Sequence, residues 1–253
     1  MPYQQSRLCK GCWQNHIPVP LHGPLCIPFR AFGIRPSRMN PNTCTICELM
    51  FERVMKARNV EIEATILFAD LRGYTAASQV LASDQMTTIL DTFYDECADA
   101  IWQHDGLLNK TIGDAIMAIF NFPIRQHDHA AKAVRAALGM QRSWRVCRKE
   151  LLAKRVIDEN DLHIGIGISG GIVKFGEFGQ SHRDLTAIGT VVNTAARAQT
   201  AAHAGQILVT ATVRDRSKEE NDIVYGEARK YHLKGLASPV DLYDARGLEH
   251  FQQ

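Results

Sequence analysis

The sequence predicts an α+β protein: a ferredoxin-like βαββαβ core with added C-terminal strands and helices, preceded by a small Cys-rich segment. Two observations predict this class. From residue 61 onward, β-branched apolar runs alternate with amphipathic helical repeats in the order strand, helix, two strands, helix, strand. The chain has 253 residues, of which 45% are hydrophobic and 22% charged, so it is long enough to bury a sizeable core.

The core elements can be read in chain order. An apolar strand over 63–70 leads into a helical region that ends near residue 106. LLNKTIGDAIMAIF, residues 107–120, predicts a tight hairpin that turns on Gly and Asp. A helix over about 128–150 and a strand over 162–169 complete the βαββαβ order. The additional elements are a strand over 172–175, a strand over 185–188, a helix over 190–202, a strand over 206–210 and short strands near residues 223, 231 and 241.

The composition argues against several partners. The formal net charge is only +2, so we expect no nucleic-acid partner and no acidic membrane surface. No apolar run approaches the roughly 20 residues of a membrane span, and MPYQQSRLCKGCW lacks the apolar region of a signal peptide. Seven cysteines, an odd number, fit a disulfide framework poorly, so we expect a cytoplasmic protein with reduced thiols.

Two strands each deliver a carboxylate near their ends. Asp70 ends the strand of ATILFADLRGYT, and Asp114 stands in the turn of the hairpin. Because the first strand and this hairpin are central neighbours in a βαββαβ sheet, we expect the two carboxylates to meet at one edge. Such a pair suits Mg²⁺, and the turn at Gly73 offers backbone N–H groups to phosphate oxygens. Taken singly, each aspartate is equally well explained as a turn residue.

A further polar group lies in RDLTAIGTVVNTAARAQT. A strand ends on Gly189 and a helix begins, so Asn193 and Arg197, four residues apart, share one helix face. An arginine in such a position stabilises the charge that develops in phosphoryl transfer. Taken alone, the two residues are better explained as an asparagine near a helix start and a solvated surface arginine.

FADLRGYT (68–75), NKTIGDAIMAIF (109–120) and TAIGTVVNTAAR (186–197) together resemble the three signature blocks of the class III nucleotidyl cyclases. The resemblance includes a closing block, YHLKGLASPVDLYD, and implies a catalytic domain over 61–245 behind a Cys-rich segment and connector helix over 1–60. It implies that a nucleoside triphosphate, expected to be ATP, is converted to its 3′,5′-cyclic monophosphate and pyrophosphate. It further implies two Mg²⁺ or Mn²⁺ per site and sites at the interface of a homodimer.

The same resemblance assigns roles to individual positions. Asp70 and Asp114 match the metal-binding pair, with the Leu71 carbonyl as a further ligand. Lys110 matches the lysine that reads the base and points to adenine, and Thr186 stands where many relatives have an aspartate, as in a bacterial adenylate cyclase subgroup. The remaining assignments are Asn193 for the ribose, Arg197 for the transition state, Lys234 for the phosphates, and Gly73 and Thr75 for the nucleotide-binding turn.

The sequence departs from the family pattern at two positions. Thr190 replaces an aspartate that many bacterial relatives have, and His163 replaces an arginine at the start of its strand. Neither change removes a residue that the mechanism needs. Since the family takes its metal pair and its base-reading residues from different subunits, the resemblance implies that a lone chain does not complete a site.

The front of the chain carries a candidate metal site. Cys9 and Cys12, then Cys44 and Cys47, form two C-x-x-C pairs of the kind that hold structural Zn²⁺. Four thiolates equally suit an iron–sulfur cluster. The competing ligands in the same segment are His16, His22 and Cys26. In HDHAA, by contrast, His127, Asp128 and His129 are better explained as a helix cap and solvated face.

Four other interpretations compete with this one. A cyclase that uses another base would make cGMP or a cyclic pyrimidine nucleotide. A catalytically silent, nucleotide-sensing domain would keep the fold alone, although all the chemistry-bearing positions are occupied. A diguanylate cyclase lacks support because the G-G-[DE]-E-F turn is missing, and a nucleic-acid-binding protein is opposed by the near-neutral charge.

Overall fold

The computed structural model describes residues 6–57, 59–153, 157, 162–179 and 184–248, and at positions 52 and 54–57 it describes the backbone alone. The strands of this described part are β1 (Val60–Arg72), β2 (Leu107–Ile112), β3 (Ala115–Phe120), β4 (His163–Phe178), β5 (Asp184–Ile188), β6 (Ile207–Thr210), β7 (Ile223–Tyr225), β8 (Arg229–Tyr231) and β9 (Val240–Gly247). The helices are α1 (Lys10–Trp13), α2 (Ile27–Ala31), α3 (Thr45–Ala57), α4 (Tyr74–Val80), α5 (Ser83–Gln103), α6 (His129–Ala153), α7 (Thr190–Ala201) and α8 (Ala211–Ser217), with one 3₁₀ turn at Pro24–Cys26.

The sheet confirms the predicted ferredoxin-like core. Its strand order is β2-β3-β1-β4-β6-β9-β7, with β5 paired to β4 and β8 to β9. The first strand, β1, pairs antiparallel with β3 on one side and with β4 on the other. The hairpin β2–β3 therefore lies directly beside the end of β1, as the βαββαβ order predicts.

The two strands predicted over 162–169 and 172–175 are one continuous strand, so that expectation was wrong. Gly170 and Gly171 suggested a break, but β1 pairs with β4 across both glycines. A Cβ at Gly170 would stand 3.3 Å from Val213 Cγ2, and one at Gly171 would stand 2.9 Å from Val191 Cγ2. The glycines thus admit close packing of helices on the strand rather than a turn.

Helices cover both faces of the sheet. One core cluster joins the sheet to α5 and α6 and contains large buried side chains such as Phe93 and Phe120. The other cluster lies on the opposite face and joins Phe51 of α3 and Ala195 of α7 to Phe68 and Phe175. α5 and α6 therefore share one face, as predicted, and α7 takes the other.

The Cys-rich segment docks on the corner between α5 and β2. Lys10 Nζ forms an ion pair with Asp105 Oδ1 at 2.6 Å, and Asn42 Nδ2 donates to the same oxygen at 2.9 Å. The backbone N–H of Leu108 donates to the Met39 carbonyl at 3.3 Å. Because β2 ends the strand order, this segment covers part of an edge that would otherwise be exposed.

One histidine of HDHAA is buried, which corrects the predicted solvated face. His127 is exposed, but His129 is only 3% exposed. The Thr65 hydroxyl lies 2.8 Å from His129 Nδ1, and Arg216 Nη1 lies 3.2 Å from Nε2. Burial, and next the Arg216 charge, lower the pKa of His129. His129 is thus a buried, hydrogen-bonded histidine of the sheet–helix interface.

Candidate active site

The two predicted carboxylates meet where β1 ends. Asp70 lies opposite Ala115, the first residue of β3, and the backbone N–H of Leu71 donates to the Asp114 carbonyl at 3.1 Å. Leu71 is buried, while Asp70 and Asp114 are partly exposed. The strand register therefore brings both side chains to one edge of the sheet without need of a ligand.

The electrostatics of this pair suit a divalent cation. Burial, and next the negative charge of Asp114, raise the pKa of Asp70. Two carboxylates that repel each other are stabilised by a bound cation, and oxygen ligands of this kind are those that Mg²⁺ and Mn²⁺ prefer. The residues present thus fit the metal that the sequence predicted.

Two residues around Asp70 were not identified from the sequence. Gln199 of α7 donates from Nε2 to Asp70 Oδ2 at 2.9 Å, and Arg72 Nη1 lies 3.7 Å from the same oxygen. Arg72 Nη2 also donates to the Gln199 carbonyl. A Cβ at Gly167 would stand 2.1 Å from Gln199 N, so this glycine allows α7 to approach β4 closely enough for the contact. The sequence gave one indication of the Gln199 contact: Gln199 lies two residues beyond Arg197, the last residue of the third signature block.

Tyr94 supports the hairpin from α5, and the sequence gave no sign of this role. Its hydroxyl donates to the Gly113 carbonyl, and Gly113 has a φ of 61° in the turn. Burial, and next the charge of nearby Tyr74, raise the pKa of Tyr94, so the phenol stays protonated and able to donate. The turn that holds Asp114 is therefore tied to a helix.

The turn between β1 and α4 stands next to the carboxylates. Gly73 has a φ of 87°, in the left-handed region that favours glycine. Both Gly73 and Thr75 are exposed, and the Thr75 carbonyl accepts a hydrogen bond from Ser78 Oγ at 2.8 Å. The chain therefore turns directly after the strand that carries Asp70, and both residues are open to a ligand.

The two predicted base-reading residues lie in one polar cluster between β2 and β5. Lys110 Nζ donates to Asp184 Oδ2. Asn109 Nδ2 donates to the Leu185 carbonyl at 3.0 Å, and Thr186 Oγ1 donates to Asn109 Oδ1 at 3.3 Å. The structure thus places Lys110 and Thr186 on two strands that side-chain hydrogen bonds join, and it adds Asn109 and Asp184, which the sequence did not single out.

The remaining predicted residues present exposed side chains. Asn193 and Arg197 lie one turn apart on α7, and both are exposed. Lys234 is exposed in a turn after β8, next to Gly235 with a φ of 85°. Within one chain, contacts therefore join Asp70 to Asp114 and Lys110 to the strand of Thr186, whereas the groups expected to handle ribose and phosphate face outward.

The four cysteines predicted as a metal site form one cluster. The Sγ atoms of Cys9, Cys12, Cys44 and Cys47 all lie within 4.8 Å of one another, and no other such group occurs among the described residues. The contacts are 3.6 Å for Cys9–Cys47 and Cys12–Cys44, 3.4 Å for Cys12–Cys47 and 3.8 Å for Cys44–Cys47. His16, His22 and Cys26 are not part of the cluster.

The thiols of this cluster cannot all ionise unaided. Hydrogen bonds from Cys47 and then Cys9 lower the pKa of Cys44, whereas burial raises the pKa of Cys12 to about 12. A tetrahedral ion with metal–sulfur bonds of about 2.3 Å sets its four sulfurs about 3.8 Å apart. Backbone N–H groups of Cys12 and Cys44 also donate to Cys9 Sγ. The thiols thus have the spacing that a single tetrahedral ion needs.

Comparison with known proteins agrees with this geometry. Residues 56–244 match the family model described as the adenylate and guanylate cyclase catalytic domain. The chain belongs to this cyclase family. An adenylate cyclase of Anabaena cylindrica is 30% identical over 201 aligned residues, which cover 74% of this chain and 39% of that protein. The cyclase chain thus spans less than half the length of the curated relatives it matches.

Solved cyclase structures match the fold as well. The adenylyl cyclase CyaB from P. aeruginosa superposes with a TM-score of 0.70 at 28% identity, covering 75% of this chain and 96% of that one. The guanylyl cyclase Cya2 gives a TM-score of 0.68 at 28% identity, with 75% and 94% covered. None of the described helices has the length and apolar composition that a bilayer crossing requires.

Proposed function

We propose that this chain is an adenylate cyclase that converts ATP to 3′,5′-cyclic AMP and pyrophosphate. The observation that carries the proposal is the convergence of Asp70 and Asp114 at the end of β1, where the Asp70 carboxyl has a raised pKa. Two divalent ions bound there would activate the attacking oxygen and neutralise the leaving pyrophosphate. We further propose that residues 61–245 form the catalytic domain and residues 1–60 an accessory segment.

The chain's own groups then bind and orient the nucleotide. Asp70, Asp114 and the Leu71 carbonyl supply oxygen ligands, and the turn at Gly73 and Thr75 receives phosphate oxygens. As the ribose 3′-hydroxyl gives its proton to solvent and its oxygen bonds to the α-phosphorus, the bond from that phosphorus to the pyrophosphate oxygen breaks. The groups proposed to act on the sugar and the developing charge are Asn193 at the ribose, Arg197 at the α-phosphate and Lys234 at the departing phosphates.

We propose a homodimer with two shared sites. Asn193, Arg197 and Lys234 are exposed in one chain, so they are free to serve a site whose carboxylates belong to a second copy. Large apolar side chains are also exposed on three strands of the sheet: Ile112 of β2 is 51%, Ile172 of β4 60% and Ile188 of β5 42% exposed. Burial of such side chains in a dimer is favourable.

The base is argued from Lys110 and Thr186, since the relatives include both adenylyl and guanylyl cyclases. A lysine ammonium only donates hydrogen bonds, which suits the N1 acceptor of adenine rather than the N1–H donor of guanine. A threonine hydroxyl both donates and accepts, so it discriminates less. ATP is therefore the proposed substrate, and GTP is the second candidate.

We also propose that Cys9, Cys12, Cys44 and Cys47 hold one structural Zn²⁺. Sulfur contacts of 3.4–3.8 Å match the edges of a tetrahedron around a single ion, whereas the bridging sulfides of an iron–sulfur cluster would take up space between the thiolates. Cys47 lies in the first turn of α3, and the segment contacts β2 through the hydrogen bond from Leu108 to the Met39 carbonyl. Bound Zn²⁺ would therefore hold the segment on the edge of the catalytic sheet.

The test is incubation of the purified protein with ATP, GTP, CTP or UTP and Mg²⁺ or Mn²⁺, with products identified by mass spectrometry. We expect cyclic AMP to form from ATP and to disappear in Asp114→Ala. Asp222→Asn, at an exposed ion pair with Arg135, is the matched control and should leave the product unchanged. Absence of any cyclic product from protein shown to be dimeric and zinc-loaded would contradict the proposal and favour a nucleotide-sensing domain.

A further inference from the structure

A polar bridge joins β2 to β5 through consecutive residues on each strand. Lys110 donates to the Asp184 carboxylate, Asn109 donates to the Leu185 carbonyl, and Thr186 donates to Asn109. The bridge fixes the two strands on which the proposed base-reading residues lie. It also brings a carboxylate into the cluster at a position that the family motifs do not mark.

Asp184 lies where it can act together with Thr186. The two residues are separated by one position on β5, so their side chains point to the same side of the strand, about 7 Å apart along it. The Asp184 side chain is 53% exposed, and that of Lys110 is 23% exposed. An ion pair with this exposure contributes little to the free energy of folding. Both charged groups are, however, accessible to a ligand from solvent.

The hydrogen-bonding groups of the two purines differ at the same positions. Adenine offers an acceptor at N1 and an amino donor at N6, whereas guanine offers a donor at N1 and an acceptor at O6. Lys110 supplies only donors, and an ionised carboxylate supplies only acceptors. Thr186 accommodates either purine. A carboxylate beside Lys110 would accept from the adenine amino group and would repel the guanine oxygen.

We propose that Asp184 determines base specificity, holding the Lys110 ammonium toward the base and accepting a hydrogen bond from the exocyclic amino group of adenine. The inference rests on the proposed cyclase function and deepens it. In this chain the acceptor that many relatives place at the Thr186 position is supplied two residues earlier on the same side of β5. Thr186 then serves chiefly to hold Asn109, and through it β2.

The experiment compares ATP with purine riboside triphosphate, which lacks the amino group, in the wild-type protein and in Asp184→Ala, which has no side-chain acceptor. In the wild type, kcat/KM should favour ATP by about 10–100-fold, the range expected for a hydrogen bond to a charged group. In Asp184→Ala this preference should shrink at least tenfold, and the ratio of ATP to GTP turnover should fall with it. The double variant Asp184→Ala/Thr186→Asp moves the carboxylate by two residues and should restore most of the ATP preference.

Asp222→Ala is the matched control, since the Asp222 side chain is 54% exposed and also pairs with a cation; its ATP preference should equal that of the wild type. Equal losses for both triphosphates in Asp184→Ala would overturn the proposal, because they would show that the carboxylate does not contact the amino group. Equilibrium binding of the two triphosphates to Arg197→Ala protein gives the same comparison without turnover. Failure of the base inference is thereby distinguished from failure of the cyclase proposal.

Discussion

The Gln199 side-chain amide donates a hydrogen bond to Asp70 Oδ2 at 2.9 Å. Gln199 lies on α7 two residues after Arg197 and is only 8% exposed. One rigid helix therefore orients the carboxylate proposed for metal binding and presents the arginine proposed for the transition state. In a dimer with shared sites, these two groups would serve different sites.

We predict that Gln199→Ala weakens metal binding. Loss of the amide lets Asp70 rotate away from Asp114, and partners of metal ligands are typically worth 10–100-fold in affinity. Mn²⁺ binding followed by electron paramagnetic resonance should show a decrease of at least tenfold. Gln141→Ala removes a comparable bond, from Gln141 Nε2 to the Ile164 carbonyl at 2.8 Å, and should leave Mn²⁺ affinity unchanged. Unaltered affinity in folded Gln199→Ala would show that Asp70 needs no such support.

Shared sites predict complementation between inactive proteins. Asp70→Ala and Arg197→Ala should each be inactive as homodimers. Mixed and allowed to exchange subunits, they should recover activity, because half of the sites in a heterodimer combine an intact Asp70 with an intact Arg197. Cyclic nucleotide formation by the mixture is the measurement. A mixture shown to contain heterodimers that still makes no product would argue against shared sites.

Asp70 should give the metal-free protein a characteristic pH dependence. Burial and the charge of Asp114 raise its folded-state pKa above the ordinary 3.8, so its contribution to stability is present below that value and is lost as pH rises through the folded pKa. In the presence of a chelator, Asp70→Asn should therefore become more stable relative to the wild type as pH rises from about 4 through the folded-state pKa of Asp70. Urea unfolding across this range is the measurement.

Asp222 supplies the opposite control for this measurement. A hydrogen bond from Arg135 lowers the folded-state pKa of Asp222, so its contribution is present above the unfolded pKa and is lost as pH falls. Asp222→Asn should consequently lose stability relative to the wild type as pH rises. If the stability of Asp70→Asn and of Asp222→Asn relative to the wild type changed with pH in the same direction, the opposite pKa shifts assigned to Asp70 and Asp222 would be wrong.

Much of the fold was predictable because the periodicity of apolar residues indicates helices and strands even in a single sequence. The hairpin and the strand of Asp70 were placed correctly, since their alternation and turn residues are local signals. The predicted strand break at Gly170 and Gly171 was wrong because those glycines make room for helices that pack on the sheet and do not form a turn. His129 was misjudged for the same reason, since its partners lie 64 and 87 residues away.

The residues of the candidate site likewise fall into two groups, those with a local sequence signal and those without one. Residues within signature blocks, such as Asp114 and Lys110, were identified because their spacing carries information. Gln199, Tyr94 and Asp184 were not, because each acts through a contact that depends on how a helix or strand is placed over the sheet. Four cysteines in two pairs were predictable as ligands, but only the structure excludes His16 and His22 from the cluster.

Removal of the metal that we propose for the cysteine cluster should both destabilise the protein and loosen the proposed base site. A metal whose free concentration is a thousandfold above its Kd adds about 4 kcal/mol to the free energy of unfolding. For a chain of this size each kcal/mol corresponds to about 2–4 °C, so the melting temperature should fall by about 10 °C on metal removal. Cys44→Ser should behave like the chelated protein. Cys147→Ser, at a half-buried cysteine outside the cluster, should behave like the wild type.

Because the Met39 carbonyl bonds to Leu108, two residues before Lys110, the same treatment should raise KM for ATP more than it lowers kcat. Weakened docking moves the strand that carries Lys110, whereas Asp70 and Asp114 lie at the other end of the hairpin and keep their register. Steady-state kinetics at a temperature well below the lowered melting point separate the two parameters. A decrease in kcat alone, with KM unchanged, would show that the cysteine cluster affects catalysis through contacts other than the one with β2.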